Sequence, residues 1–246
     1  MTILIHFHQS HSRTFKAYDT EHVRVHLTSE FPRVVSDTRF VALIPHMMVP
    51  LLASLQSLYR DGTGIRFIDS TSLEVWNPKR ISGHRVFAVD ARRGKTRMGW
   101  VFGFQLHLAV HDCGALLACC LTPGNVDDRT PVPQMGKRLR GKLFGDRGSI
   151  SAPLAERLVE QGLQLITRLR KNMKYCRMHL SDKLLVRKRA MIETIIDQLK
   201  NISQIEHPRH RSPVNFVVHV IAGLIAYSHQ DKKPGLHLNR HALLAA

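Results

Sequence analysis

Gly64-Ile65-Arg66-Phe67-Ile68-Asp69 is a short apolar run that closes on a carboxylate. Its length and its mix of β-branched and aromatic residues read as a buried strand with Asp69 at its end. Two later stretches repeat the theme. Lys142-Leu143-Phe144-Gly145-Asp146 again delivers an acid at the end of a strand. Arg189-Ala190-Met191-Ile192-Glu193-Thr194-Ile195-Ile196 sets Glu193 on a helical pattern. Three converging carboxylates make a hard-oxygen site suited to Mg²⁺ or Mn²⁺, the ions used to cut and join phosphodiesters.

Working outward from Ile65, the chain divides at the turn signal Asp61-Gly62-Thr63-Gly64. Residues 1–62 lack strand alternation and read as a helical N-terminal region. Residues 63–230 form the main domain, and 231–246 a C-terminal tail. After the first strand, 78–96 reads as a basic loop with a short strand at 85–89. Gly99 to His111 alternates Phe102, Phe104, Leu106 and Leu108 and reads as a strand. Ala115 to Leu121 follows a tight turn at Asp112-Cys113-Gly114 and completes an antiparallel meander. Next come a helix started near Pro131, with Asp127 and Asp128 read as its caps, and a strand at 143–146. A helix over 153–162, a strand over 163–169 and a long helix over 183–201 follow, with an apolar helix last, over 213–227. The expectation is an α/β protein. Its mixed five-stranded sheet has three antiparallel strands followed by alternating helix and strand, with helices on its flanks. That order matches a ribonuclease H-like core, in which the first and fourth strands are neighbours and Asp69 and Asp146 meet.

On a wheel of about 100° per residue, Met191, Ile192, Ile195, Ile196, Leu199 and Ile202 gather as a core stripe. Arg189, Glu193 and Lys200 share a second face along its border. A carboxylate flanked by two cations suits a metal ligand beside phosphate-holding groups. Taken alone, Arg189 and Glu193 also fit an exposed i,i+4 pair worth about 0.2–0.5 kcal/mol. Asp197 is the nearest competing acid.

Thirty-six Lys and Arg against 19 acids among 246 residues give a net charge of +17, as expected of a polyanion binder. The basic residues cluster beside the predicted acid site. Arg93 and Lys95 follow the first strand, Arg147 the fourth, and Arg189 and Lys200 lie on the long helix. Several runs converging on one edge suggest a phosphate track. Trp100, amid apolar neighbours, reads as core, and Trp76 is open to a base-stacking role. Most of the 16 histidines read as surface or phosphate-contacting residues, and the four cysteines as reduced and mostly buried thiols. The apolar stretch 41–59 is broken by Pro45 and Pro50, and 216–227 is short for a span. No membrane partner is expected.

The motifs Phe67-Ile68-Asp69-Ser70-Thr71, Arg93-Gly94-Lys95-Thr96, Leu121-Thr122-Pro123-Gly124-Asn125-Val126-Asp127-Asp128, Leu143-Phe144-Gly145-Asp146 and Gln198-Leu199-Lys200-Asn201-Ile202 resemble the insertion sequence 982 family of bacterial DDE transposases. The likeness covers nearly the whole chain. It implies an RNase H-like catalytic core and places Asp69, Asp146 and Glu193 on the family's triad, holding two Mg²⁺ or Mn²⁺ ions. It implies cleavage at transposon inverted repeats and strand transfer into target DNA, with a homodimer in the DNA complex, in the bacterial cytoplasm at the nucleoid. Arg189, Glu193 and Lys200 fit a related signature, Tyr-x2-Arg-x3-Glu-x6-Lys, whose Tyr position is Val186 here. Ser149 stands where the family has Tyr. Family members carry chain ahead of the part that aligns with Met1, so the resemblance implies an N-terminally shortened protein. Two alternatives stay open: an inactive or truncated DNA-binding remnant, and an RNase H-like nuclease that cuts without joining.

Overall fold

Strand β1 (Ile65–Trp76) is the spine of a six-stranded mixed sheet in the computed structural model, which describes residues 1–60, 64–76, 85–96, 99–146, 151–167, 178–206 and 211–236. Its side chains alternate between two cores. Phe67, Leu73 and Val75 enter the larger one, and Ile68 enters the smaller one on the opposite face. The other strands are β2 (Arg92–Thr96), β3 (Gly99–His111), β4 (Leu116–Pro123), β5 (Gly141–Phe144) and β6 (Leu163–Ile166). β3 runs antiparallel to β1 along its length. On its far side β3 pairs with β2 over its first half and β4 over its second. β5 lies parallel to β1, and β6 parallel to β5. Leaving β2 aside, the order β4-β3-β1-β5-β6 is that of an RNase H-like sheet.

The sixth strand corrects the expectation of five. Residues 85–89 form no strand: Phe87 is buried, while Val86 and Val89 are exposed on a turn. The strand lies at Arg92–Thr96, where only Gly94 is buried. An edge strand whose single inward residue is a glycine shows no apolar alternation. A Cβ at Gly94 would overlap the carbonyl oxygen of Gly124, so β2 and the turn after β4 meet backbone to backbone.

The helices are α1 (Thr2–Phe7), α2 (Phe15–Tyr18), α3 (Arg24–His26), α4 (Asp37–Leu43), α5 (Met48–Ser57), α6 (Val132–Gly136), α7 (Ala152–Glu160), α8 (Leu180–Arg187), α9 (Ala190–Asn201) and α10 (Pro213–Ser228). Ser151 and Ser212 cap α7 and α10 through their hydroxyls. α10 is buried on every side from Val218 to Tyr227, as befits a helix apolar all round. Leu4, Leu51 and Leu55 of the N-terminal helices join the same core as Phe67, Phe104 and Phe216. His8 fastens α1 there. Its Nδ1 donates to the Ser203 carbonyl at 2.6 Å, and its Nε2 meets His219 Nδ1 at 3.1 Å. With Nδ1 donating, neutral His8 accepts from His219. His8, His107, His111 and His219 are thus buried rather than superficial.

Pro45 and Pro50 do not break the run Asp37–Ser57. Pro45 opens a 3-10 turn, and Pro50 lies in the first turn of α5, where its missing N–H costs no helical bond. Among the described residues this run is the one helix long and apolar enough to cross a membrane. The described cysteines are free, with Cys113 exposed and Cys119 and Cys120 half-buried, so they are less enclosed than expected.

Candidate active site

Asp69 lies in the middle of β1, not at its end. Its neighbour explains why it still sits at a sheet edge. β5 ends at Phe144, opposite Phe67, so from Asp69 onward β1 has no strand on that side among the described residues. Asp146 lies two residues beyond Phe144, level with Asp69 two residues beyond Phe67. Parallel pairing thus brings together two acids 77 positions apart.

One side chain joins them. Arg189 donates from Nη2 to Asp69 Oδ2 at 2.8 Å and from Nη1 to Asp146 Oδ1 at 2.9 Å. Glu193 Oε1 lies 3.6 Å from the same Nη2. The three predicted acids therefore surround one guanidinium. Their exposure differs: the Asp69 side chain is 18% exposed, Asp146 40% and Glu193 63%. Burial alone would lower the pKa of Arg189, but Asp69 and then Asp146 outweigh it and push the pKa up. The other oxygen of Asp69, Oδ1, accepts the Ser70 N–H at 2.9 Å.

The helix expected over 183–201 is two helices, α8 and α9, broken at Lys188-Arg189. Val186 is buried and Glu193 exposed, although seven residues on a straight helix would share a face. The break rotates one helix against the other. Val186 keeps its place in the core, and Arg189, the N-cap residue of α9, reaches the acids.

Asp69, Asp146, Glu193, Arg189, Arg93 and Lys95 all line one cleft of about 780 Å³. Arg93 and Lys95 are exposed on β2. Two carboxylates read as helix caps also line it. Among the described residues no side chain caps α6. Arg129 holds Asp127 through two side-chain hydrogen bonds and its backbone N–H, which bring its pKa down to about 2. Asp128 accepts from Ser70 Oγ at 2.7 Å and from Gln105 Nε2 at 3.3 Å. It pins the turn after β4 to the residue next to Asp69. Sequence reasoning missed this contact, and a carboxylate four residues past Gly124 gave no signal of it.

Lys200 is placed elsewhere. Its ammonium donates to the Ser72 carbonyl at 2.7 Å and pairs with Glu206 at 2.8 Å, and it is not among the residues lining the cleft. Glu206 also accepts the Glu74 N–H at 3.1 Å. The two side chains satisfy the open edge of β1 where β5 is missing. Asp197 is turned away and held by Asn201. Trp100, expected in the core, is 60% exposed on β3, opposite Lys95. Trp76 packs against the core instead. Arg147 lies outside the described residues.

Among the described residues no three His, Cys, Asp or Glu side chains form a ready-made metal group. The reason is visible: Arg189 fills the space between Asp69 and Asp146, and Glu193 faces solvent. The donor set still fits a hard divalent ion. It consists of carboxylates in a polar cleft, and two of them already share a cation.

Residues 60–213 match the family described as Transposase DDE domain. The chain belongs to that family. The DDE-domain match runs from just before β1 to the start of α10 and includes Asp69, Asp146 and Glu193. Among solved structures, the chain is similar to a piggyBac transposase determined as a synaptic complex with hairpin DNA. The TM-score is 0.52 and the identity 13%, over 92% of this chain and 63% of that one. At that identity the likeness shows the fold. No curated protein matches the sequence.

Proposed function

We propose that this DDE-domain protein is a transposase that cuts DNA at transposon ends and joins the freed 3′ strand to target DNA. Asp69, Asp146 and Glu193 would hold two Mg²⁺ or Mn²⁺ ions. The observation that carries the reading is the bridge from Arg189 to Asp69 and Asp146, which gathers acids from β1, the segment after β5 and α9 around one guanidinium. Bound there, divalent ions would activate the attacking oxygen and neutralise charge on the departing one. The chain's own residues supply the rest. Arg93 and Lys95, exposed on β2 in the same cleft, suit phosphate contacts that set the DNA in register. Asp128 fixes the turn that forms part of the cleft. The net charge of +17 supports DNA as the partner. The motif resemblance supports a place in the insertion sequence 982 group, with a homodimer bridging two transposon ends.

The test is Mg²⁺-dependent cleavage and strand transfer on DNA carrying the terminal inverted repeats. Asp69→Asn, Asp146→Asn and Glu193→Gln are each expected to reduce both to background while DNA binding persists. Unchanged turnover in any of them would refute the assignment of that acid. A second reading, a DNA-binding remnant, is favoured by one observation: Glu193 is 63% exposed, and its 3.6 Å contact with Arg189 is the longest of the three. Salt-sensitive DNA binding without any cutting would select it. Cutting without joined products would select a nuclease.

A further inference from the structure

Arg189 is the positive group inside the proposed ion site, and its position has consequences. It occupies Oδ2 of Asp69 and Oδ1 of Asp146, while Asp69 Oδ1 is engaged by the Ser70 N–H. A divalent ion drawn to this pair meets a guanidinium on the oxygens it needs, and like charges a few ångströms apart repel. One guanidinium against three carboxylates leaves the cluster negative, so a doubly charged ion is the stronger counter-ion. The fit of Arg189 is also incomplete. Its Nε is buried with no hydrogen-bond partner among the described residues, so attraction to the acids holds it rather than a full set of bonds. It stands at the break between α8 and α9, beside the cleft it partly fills.

We propose that Arg189 is an internal counter-ion that competes with divalent cations for Asp69 and Asp146, so that metal loading releases it into the cleft. The inference rests on the functional reading above. In the metal-free protein Arg189 keeps the two aspartates together and screens their repulsion. Once released, the guanidinium faces the cleft, where a DNA phosphate is its natural partner. Arg189 is thus a positioning residue whose place depends on whether an ion is bound to Asp69 and Asp146.

The experiment uses the full chain without DNA, so no turnover enters the readout. Mn²⁺ and Ca²⁺ binding are measured by calorimetry for the wild type, Arg189→Gln, Arg189→Lys and Asp69→Asn, with melting temperatures with and without metal. Arg189→Gln is expected to bind at least about tenfold more tightly than the wild type. It should melt lower without metal and gain more on metal addition, since binding to the folded state raises stability by mass action. Arg189→Lys, whose single ammonium cannot make the two-armed bridge, should fall between the two. It carries the test if Arg189→Gln does not fold. Asp69→Asn should lose binding. Equal or weaker binding by both Arg189 variants, with the wild type binding, overturns the competition and leaves the functional reading standing. No binding by any variant overturns both.

Discussion

Lys200 and Ser72, 128 positions apart, are joined by a hydrogen bond of 2.7 Å from the ammonium to a main-chain carbonyl. The bond closes a strand edge that no other strand covers among the described residues, and Glu206 pairs with the same ammonium. Lys200→Ala should therefore act on stability. It leaves the Ser72 carbonyl and the half-buried Glu206 carboxylate without their partner, a loss of about 1–3 kcal/mol. Urea unfolding should show a lower midpoint with an unchanged slope. The salt dependence of DNA binding should not change, and a shallower salt slope would return Lys200 to the DNA surface.

Arg93 and Lys95 are exposed and line the cleft. Replacing both by Ala should make the slope of log K against log salt less negative by about 2, since each phosphate contact contributes about 0.9. Stability should change by less than about 0.5 kcal/mol, because neither side chain is buried. DNA affinity measured across a salt series, together with a denaturation curve, checks both parts.

Trp100→Ala separates a surface indole from a core one. A buried Trp lost to Ala costs about 3–5 kcal/mol. At 60% exposure, Trp100 should cost less than about 1 kcal/mol. If the indole stacks on a base, affinity for single-stranded DNA should fall by about 1–3 kcal/mol. Fluorescence quenching of Trp100 on titration with oligonucleotide reports the contact directly.

His107 and His6 both have pKa values lowered from 6.5. Burial is the first cause at each, with Asp128 partly opposing it at His107 and His22 adding to it at His6. The unfolded chain thus binds protons more readily than the folded one. Their contribution to stability is complete above pH 6.5 and drains away as pH falls below it toward the lowered values. His107→Gln should flatten part of this acid-side slope. Thermal melts between pH 7 and pH 5 measure it, and a slope identical to the wild type would remove His107 as a source.

Much of the site was legible because it depends on short-range rules. Ile65 to Asp69 and Lys142 to Asp146 are apolar runs ending on acids, and parallel pairing of such runs places the acids side by side. The stripe from Met191 to Leu199 located Glu193 on its helix. What escaped depends on tertiary partners. β2 shows no alternation because glycine is its only inward residue. The break at Lys188-Arg189 is invisible because α8 and α9 each keep a 3.6-residue period, and only packing sets their relative phase. Lys200 looked like a phosphate ligand because nothing local reveals the strand edge that claims it.

The helices before β1 bury Leu4, Leu51 and Leu55 in the hydrophobic interior shared with β1, β3 and α10. They are not a bead strung on a tether. A recombinant that exchanges this segment for a relative's inherits the wrong knobs for α10's holes, and the sheet-bearing half would loosen with it. Diversification at this end of the protein must therefore proceed by paired changes across that boundary, not by wholesale transplantation.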